Sequence, residues 1–314
     1  MADPAAPAPG RRVSLGAAVV LAGFLVLAPP LYLLAPFALL TLFARPRTPR
    51  EVLWLVLAAA GTAAVLTTGG ELGPQVIQES GFVLAVFFLL LSARARGPLF
   101  PWALAAVVLT AMVFLAWGWR SGIGWSDVER AFAAMLRSGY ETVVELGGQD
   151  AASRRELQTL IQPLLETAPR IARVMPGLLA LQGLAGTLLA SWWHHQIAAV
   201  PLGPRPARFR DFRFNDHLIW GAIFSLGLLL APLRDEARAA VVNLLIVWAG
   251  LYAGRGLAIV ATVLAPAPGP LRFFVAALAF LLAPVALGAS VTLGLADTWL
   301  DIRGRLNPPV PGGA

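Results

Sequence analysis

Arg255 stands in the stretch LYAGRGLAIV, between two glycines and within a long apolar run. A guanidinium in such surroundings must face protein, water or a lipid headgroup, and an intramembrane cation of this kind marks a functional position by default. The opposing reading ends the helix at Gly254 and leaves Arg255 at an interface, where its stem can snorkel. Both flanking glycines invite such a break, so the two readings stand side by side. Asn243, earlier in the same run, needs a hydrogen-bond partner, and a neighbouring helix is the ordinary one.

A second polar group lies between Gln182 and His195. Gln182, Gly183, Gly186, Thr187, Ala190, Ser191 and His194 recur at three- and four-residue spacing, which gathers them on one small and polar helical face. Close packing against neighbouring helices is the commoner use of such a face, and lining a solute path the rarer one. Trp192, Trp193, His194 and His195 follow at one end, as aromatic anchors at a membrane interface do. Adjacent histidines project in different directions, which disfavours a shared metal site; His217 could approach them across a short loop. Asp297 and Asp301 fall four residues apart with Arg303 and Arg305 nearby. Two carboxylates on one face could take a cation or a proton, but an exposed helix end with local ion pairs is the expected outcome. The candidate ligand residues are therefore Arg255, Gln182, Thr187, Asn243 and His194.

No catalytic residue is assigned. The sequence has no cysteine and three histidines, which removes thiolate chemistry and leaves a zinc site short of ligands. No phosphate-binding glycine loop, HExxH or GxSxG occurs. We expect neither enzymatic activity nor a cofactor, and no metal.

The elements that position these residues are set by hydropathy. Of 314 residues 58% are hydrophobic and 13% charged, far from soluble composition, and the apolar runs have bilayer length. All cationic side chains are arginines, clustered at the ends of apolar runs, so they report orientation rather than nucleic-acid binding. Met1–Arg12 reads as a cytoplasmic tail. The charged start resembles a signal peptide, but the apolar run continues to Ala44 and further segments follow, so we read a retained first membrane segment. Within Val13–Ala44, Pro29-Pro30 predicts a tight hairpin or sharply broken helix.

Further spans are expected at Val52–Thr68, Phe82–Ala93, Leu99–Trp119, Leu178–Val200, Leu218–Leu233, Ala239–Ala265 (interrupted at Gly254–Gly256) and Phe273–Leu295, about eight or nine in all. Arg45, Arg47 and Arg50, then Arg94 and Arg96, then Arg205, Arg208, Arg210 and Arg213 belong on the cytoplasmic side, and the short Gly69–Ser80 connection outside. Between Arg120 and Arg173 lies the one long polar stretch. Ser126 before Glu129 and Ser153 before Glu156 have capping-box spacing. The apolar residues that follow each predict two amphipathic helices, separated by Gly147-Gly148, the second bent at Pro163.

The predicted organisation is a tail at 1–12, a membrane half at 13–119, an external amphipathic pair at 120–174, a second membrane half at 175–305 and a disordered tail at 306–314. The fold class is all-α: a polytopic transmembrane helical bundle.

The segments SWWHHQ, RFRDFRFNDHLIW, LYAGRGLAIV and LGLADTWLDIRGR resemble the YybS-like family of bacterial membrane proteins. The likeness is strongest from Gly177 to Arg305 and lies mainly in hydrophobic layout before Trp119. That family is itself distantly similar to the S components of energy-coupling-factor transporters and to the MreD cell-shape protein. The resemblance implies a compact helical bundle in the bacterial inner membrane that binds a small solute or an envelope partner; it carries no ligand residue onto these positions. The expected function is a solute-binding or transport-associated component; the alternative is a non-catalytic envelope scaffold. The implied partners are the lipid bilayer, other membrane proteins and a small-molecule solute, with nucleic acid excluded.

Overall fold

The structure is a computed structural model that describes residues 15–67, 71–147 and 151–306. The Met1–Arg12 tail, Gly148 and the segment from 307 onward lie outside the described residues. Among those described every regular element is helical. The chain falls into two units, residues 1–206 and 207–314.

Unit 1 begins with α1 (Leu15–Leu27) and α2 (Leu31–Phe43), separated at Pro29-Pro30 as the double proline dictates. Gln182 donates to the carbonyl of Leu27, while Thr41 meets His194. Phe24 and Tyr32 both lie against Gly186. The chain thus reverses between α1 and α2, which run in opposite senses along the same partner helix. Each has 13 residues, about 20 Å at 1.5 Å per residue, which is short of a hydrocarbon core of about 30 Å. α2 buries Leu31, Leu33, Phe37 and Leu40 on several sides, packed among α3 (Pro49–Leu66), α4 (Leu72–Arg94) and α7 (Ala151–Ile197).

α3 starts with a capping box. Thr48 accepts from the Glu51 amide at 3.3 Å, and Glu51 accepts from the Thr48 amide at 2.8 Å. α4 begins ten residues earlier than the expected Phe82, so most of the Gly69–Ser80 connection is helical. α5 (Phe100–Ser121) matches the expected Leu99–Trp119 span and ends on Gly122 at φ 69°, a left-handed conformation that suits glycine.

α6 (Trp125–Gly147) and α7 correct the reading of the polar stretch. Ser126 does not cap: it lies inside α6, and the Asp127 carboxylate instead accepts from the Gly124 amide at 2.8 Å. Ser153 likewise lies inside α7. The second amphipathic helix and the Leu178–Val200 span are not separate; they are one helix of 47 residues containing Pro163, Pro169 and Pro176. Each proline removes an amide donor, but the helix is held along its length by α6, α5, α4 and α2, and packing of this kind sustains proline-containing membrane helices. At about 70 Å, α7 is more than twice the hydrocarbon thickness.

Unit 2 contains two short 3₁₀ turns (Phe209–Asp211 and Asp216–Leu218), α8 (Ile219–Leu229), α9 (Asp235–Val263), α10 (Gly269–Leu281), α11 (Ala283–Leu300) and α12 (Ile302–Leu306). The expected interruption at Gly254–Gly256 is absent: α9 is continuous for 29 residues. Its glycines serve close approach instead. A Cβ on Gly256 would overlap the Ser290 backbone, and one on Gly294 the Tyr252 backbone, so α9 and α11 pack antiparallel at near contact. The break occurs in the expected Phe273–Leu295 span, at Leu282 before Pro284.

Six described helices are long and apolar enough to cross a membrane, and four shorter apolar helices accompany them. The expected eight or nine included stretches that the structure splits at Pro29-Pro30 and Leu282, and one that yields the 11-residue α8.

Candidate functional site

In unit 2, α9 carries Arg255 with its side chain fully buried. The reading that ended the helix at Gly254 does not hold, because the helix continues and the guanidinium faces protein, where it meets carboxylates. Its Nε donates to Asp297 Oδ2 at 2.8 Å, Nη1 to Asp216 Oδ1 at 2.6 Å and Nη2 to the Asp297 carbonyl at 3.2 Å. The Phe214 ring stands with its centroid 5.5 Å from the guanidinium carbon, within cation–π range. Asp297 is engaged on both oxygens, since Arg303 Nη2 donates to Oδ2 at 3.0 Å and the Arg303 amide to Oδ1 at 3.3 Å. Asp297 is therefore a buried partner of two arginines, not the exposed helix-end acid expected. Asp301 ends α11 at φ 40° and does remain exposed, 3.4 Å from Arg213.

Arg213 lies 3.6 Å from Asp216 as well. Arg213, Arg255 and Arg303 are matched by Asp216, Asp297 and Asp301, so the network is formally neutral. Neutrality suits it to apolar surroundings, where an uncompensated charge would be costly. Asp216 was legible only as the neighbour of His217, and nothing local marks it as the partner of a residue 39 positions away.

Asn243 sits on α9 about 18 Å from Arg255 along the axis. Its Nδ2 donates to the Ala239 carbonyl one turn back at 2.9 Å. The two α9 candidates do not meet.

In unit 1 the Gln182–His194 face is a packing face. A Cβ on Gly186 would press on the Tyr32 carbonyl, and one on Gly183 on Leu84. Gln182 Nε2 donates to Leu27 O at 3.3 Å, and Thr187 Oγ1 to Leu184 O at 2.9 Å. Gln182 and His194 are again about 18 Å apart along their helix.

His194 is buried. The Leu202 amide donates to its Nε2 at 3.0 Å, so the ring proton resides on Nδ1, which donates to Thr41 Oγ1 at 3.2 Å. The His195 ring stands at 89° to it, its Nδ1 donating to Ser191 O at 2.8 Å. Among the described residues no His, Asp and Glu side chains cluster in a way that could hold a metal ion.

The buried Glu51 completes this end of unit 1. Its carboxylate accepts from the amides of Arg47 at 2.5 Å and Thr48, and also from that of Ala199. Gly203, at φ 81°, lies against Ser92. The α2–α3 turn with Arg45, Arg47 and Arg50, the end of α4 with Arg94, and the exit of α7 toward Arg205 therefore share one end of the unit. α6 packs at the opposite end, where Gly73 at the start of α4 meets Ala131. From there α6 and α7 run on as an antiparallel hairpin, marked by Glu129 against Arg173 and Gly147 against Leu157.

These features define an all-α, multi-pass integral membrane protein. The chain belongs to the predicted membrane protein family DUF2232, whose model matches residues 16–298. No curated protein and no solved structure matches it.

Proposed function

We propose that the chain is a non-catalytic scaffold of the bacterial inner membrane that engages an envelope partner through the α6–α7 hairpin. The observation that carries this reading is α7 itself. Its C-terminal half lies in the packed interior of unit 1, while Ala151–Arg173, about 35 Å of helix, pairs with amphipathic α6 and exceeds what a bilayer holds. One rigid element thus links the membrane interior to an extramembrane surface. The arginine clusters at the far end support a cytoplasmic assignment there, with the hairpin outside and a cytoplasmic N-terminus. What the YybS-like resemblance implies points the same way, through its distant likeness to MreD.

The alternative role, a solute-binding or transport-associated component, is less well supported. Each of the five candidate ligand residues already has an intramolecular partner. One observation favours it: the charge network keeps an exposed margin at Arg213, Asp216 and Asp301, where an ionic solute could exchange with a side chain.

Complementation of a depleted strain separates the two. Glu141 and Glu145 are exposed on the projecting part of α6. The double variant Glu141→Arg/Glu145→Arg is expected to insert at normal abundance but fail to restore cell shape or division. Full complementation by that variant, together with a charged solute that raises the melting temperature of the purified protein, would favour the solute role.

A further inference from the structure

The basic loop of unit 2 contains arginines of two kinds, which the sequence alone does not distinguish. Arg213 is held between Asp216 and Asp301. Among the described residues, Arg208 has no carboxylate within ion-pair distance, and Arg210 reaches only its neighbour Asp211, at 3.8 Å. Between them Phe209 is 57% exposed, its ring stacked against Phe212 with centroids 6.5 Å apart.

The backbone beneath these three residues is fixed. Arg303 Nη1 donates to the carbonyl of Phe212 at 2.8 Å and to that of Arg210 at 3.4 Å, and Thr262 Oγ1 donates to Arg210 O at 3.4 Å. Phe212 lies on Gly254, and Phe214 packs edge-on against Tyr252 with centroids 5.3 Å apart. The Phe209–Asp211 turn is thereby anchored to α9 and α12, so its exposed side chains are presented from an ordered base.

We propose that Arg208, Phe209 and Arg210 form a binding site for the headgroups of anionic phospholipids at the membrane surface. Arg208 is not held by a carboxylate and Arg210 only by the exposed Asp211, so both guanidiniums can attract lipid phosphate. An aromatic ring between them suits the headgroup–acyl boundary, where one end of a side chain is apolar and its surroundings are wet. The neighbouring Arg213, Arg255 and Arg303, by contrast, are committed to aspartates.

The test measures retention of phosphatidylglycerol and phosphatidylcholine by the purified full-length chain, using native mass spectrometry. Wild-type protein should prefer phosphatidylglycerol. In Arg208→Gln/Arg210→Gln the preference should fall roughly tenfold or more, the loss of two near-surface arginine charges. Phe209→Ala should weaken retention of both lipids, and Arg234→Gln, outside the loop, should leave the preference unchanged. Arg208→Lys/Arg210→Lys should keep most of it, which separates lost charge from a disturbed fold. An undiminished preference in the double glutamine variant would overturn the proposal. So would full competition by millimolar inorganic phosphate, which would make the site one for a free anion.

Discussion

At the residue scale the decisive fact is that the intramembrane arginine is neutralised twice over. Removing one partner of a buried ion pair strands the other, at a cost of about 3–5 kcal/mol. Asp297→Ala should therefore sharply lower the melting temperature and abundance in the membrane, whereas Asp301→Ala, at an exposed position, should change either little. Replacing both members, as Arg255→Met/Asp297→Leu, should recover part of the loss, because apolar pairs often substitute for buried ions. Parallel thermal unfolding of the four proteins in one detergent checks this. Sequence marked Arg255 as unusual because hydropathy exposes an isolated charge. Its partners were not legible: they lie 39 and 42 residues away on other elements, and only tertiary structure joins them. The same blindness made Asp297 read as an exposed helix end.

At the scale of elements, glycines and caps explain most differences between expectation and structure. Gly254–Gly256 read as a break because glycine weakens helices, but Gly256 is where α11 comes to near contact, and packing outweighs propensity. Gly294→Leu should therefore destabilise by about 1–3 kcal/mol or more through forced separation of α9 and α11. Gly288→Ala, with open space around its Cβ position, should be neutral or stabilise by about 0.5–1 kcal/mol. Unfolding midpoints of the two variants decide it.

Caps were misplaced for a simpler reason. Serine and glutamate at the right spacing occur at 126–129 and 153–156 inside helices, while the working box at Thr48–Glu51 sits among prolines and arginines that mask it. Thr48→Ala should cost about 1 kcal/mol. Glu51→Gln should cost more, because the same carboxylate also holds the amides of Arg47 and Ala199.

At the scale of the whole molecule, membrane character and helical class were legible from hydropathy, since runs of apolar residues with arginine at their ends have one economical solution in lipid. The span pattern was less so. Prolines at 29, 30 and 284 shorten helices, whereas those at 163, 169 and 176 do not, and which happens depends on neighbours that no local window contains. The long α7 was the largest consequence, and it turns the expected second external helix into an extension of the bundle interior.

The central claim is that the hairpin projects on one side of the membrane and the arginine clusters lie on the other. The absence of cysteine makes it directly testable. Single substitutions Arg137→Cys on α6 and Arg155→Cys on α7, and Arg96→Cys and Arg205→Cys at the opposite end, would be exposed in intact cells to a membrane-impermeant maleimide. The account predicts rapid labelling at 137 and 155 once any outer membrane is opened, and labelling at 96 and 205 only after the inner membrane is permeabilised. Equal labelling of all four before that step, or labelling at 96 and 205 alone, would contradict it.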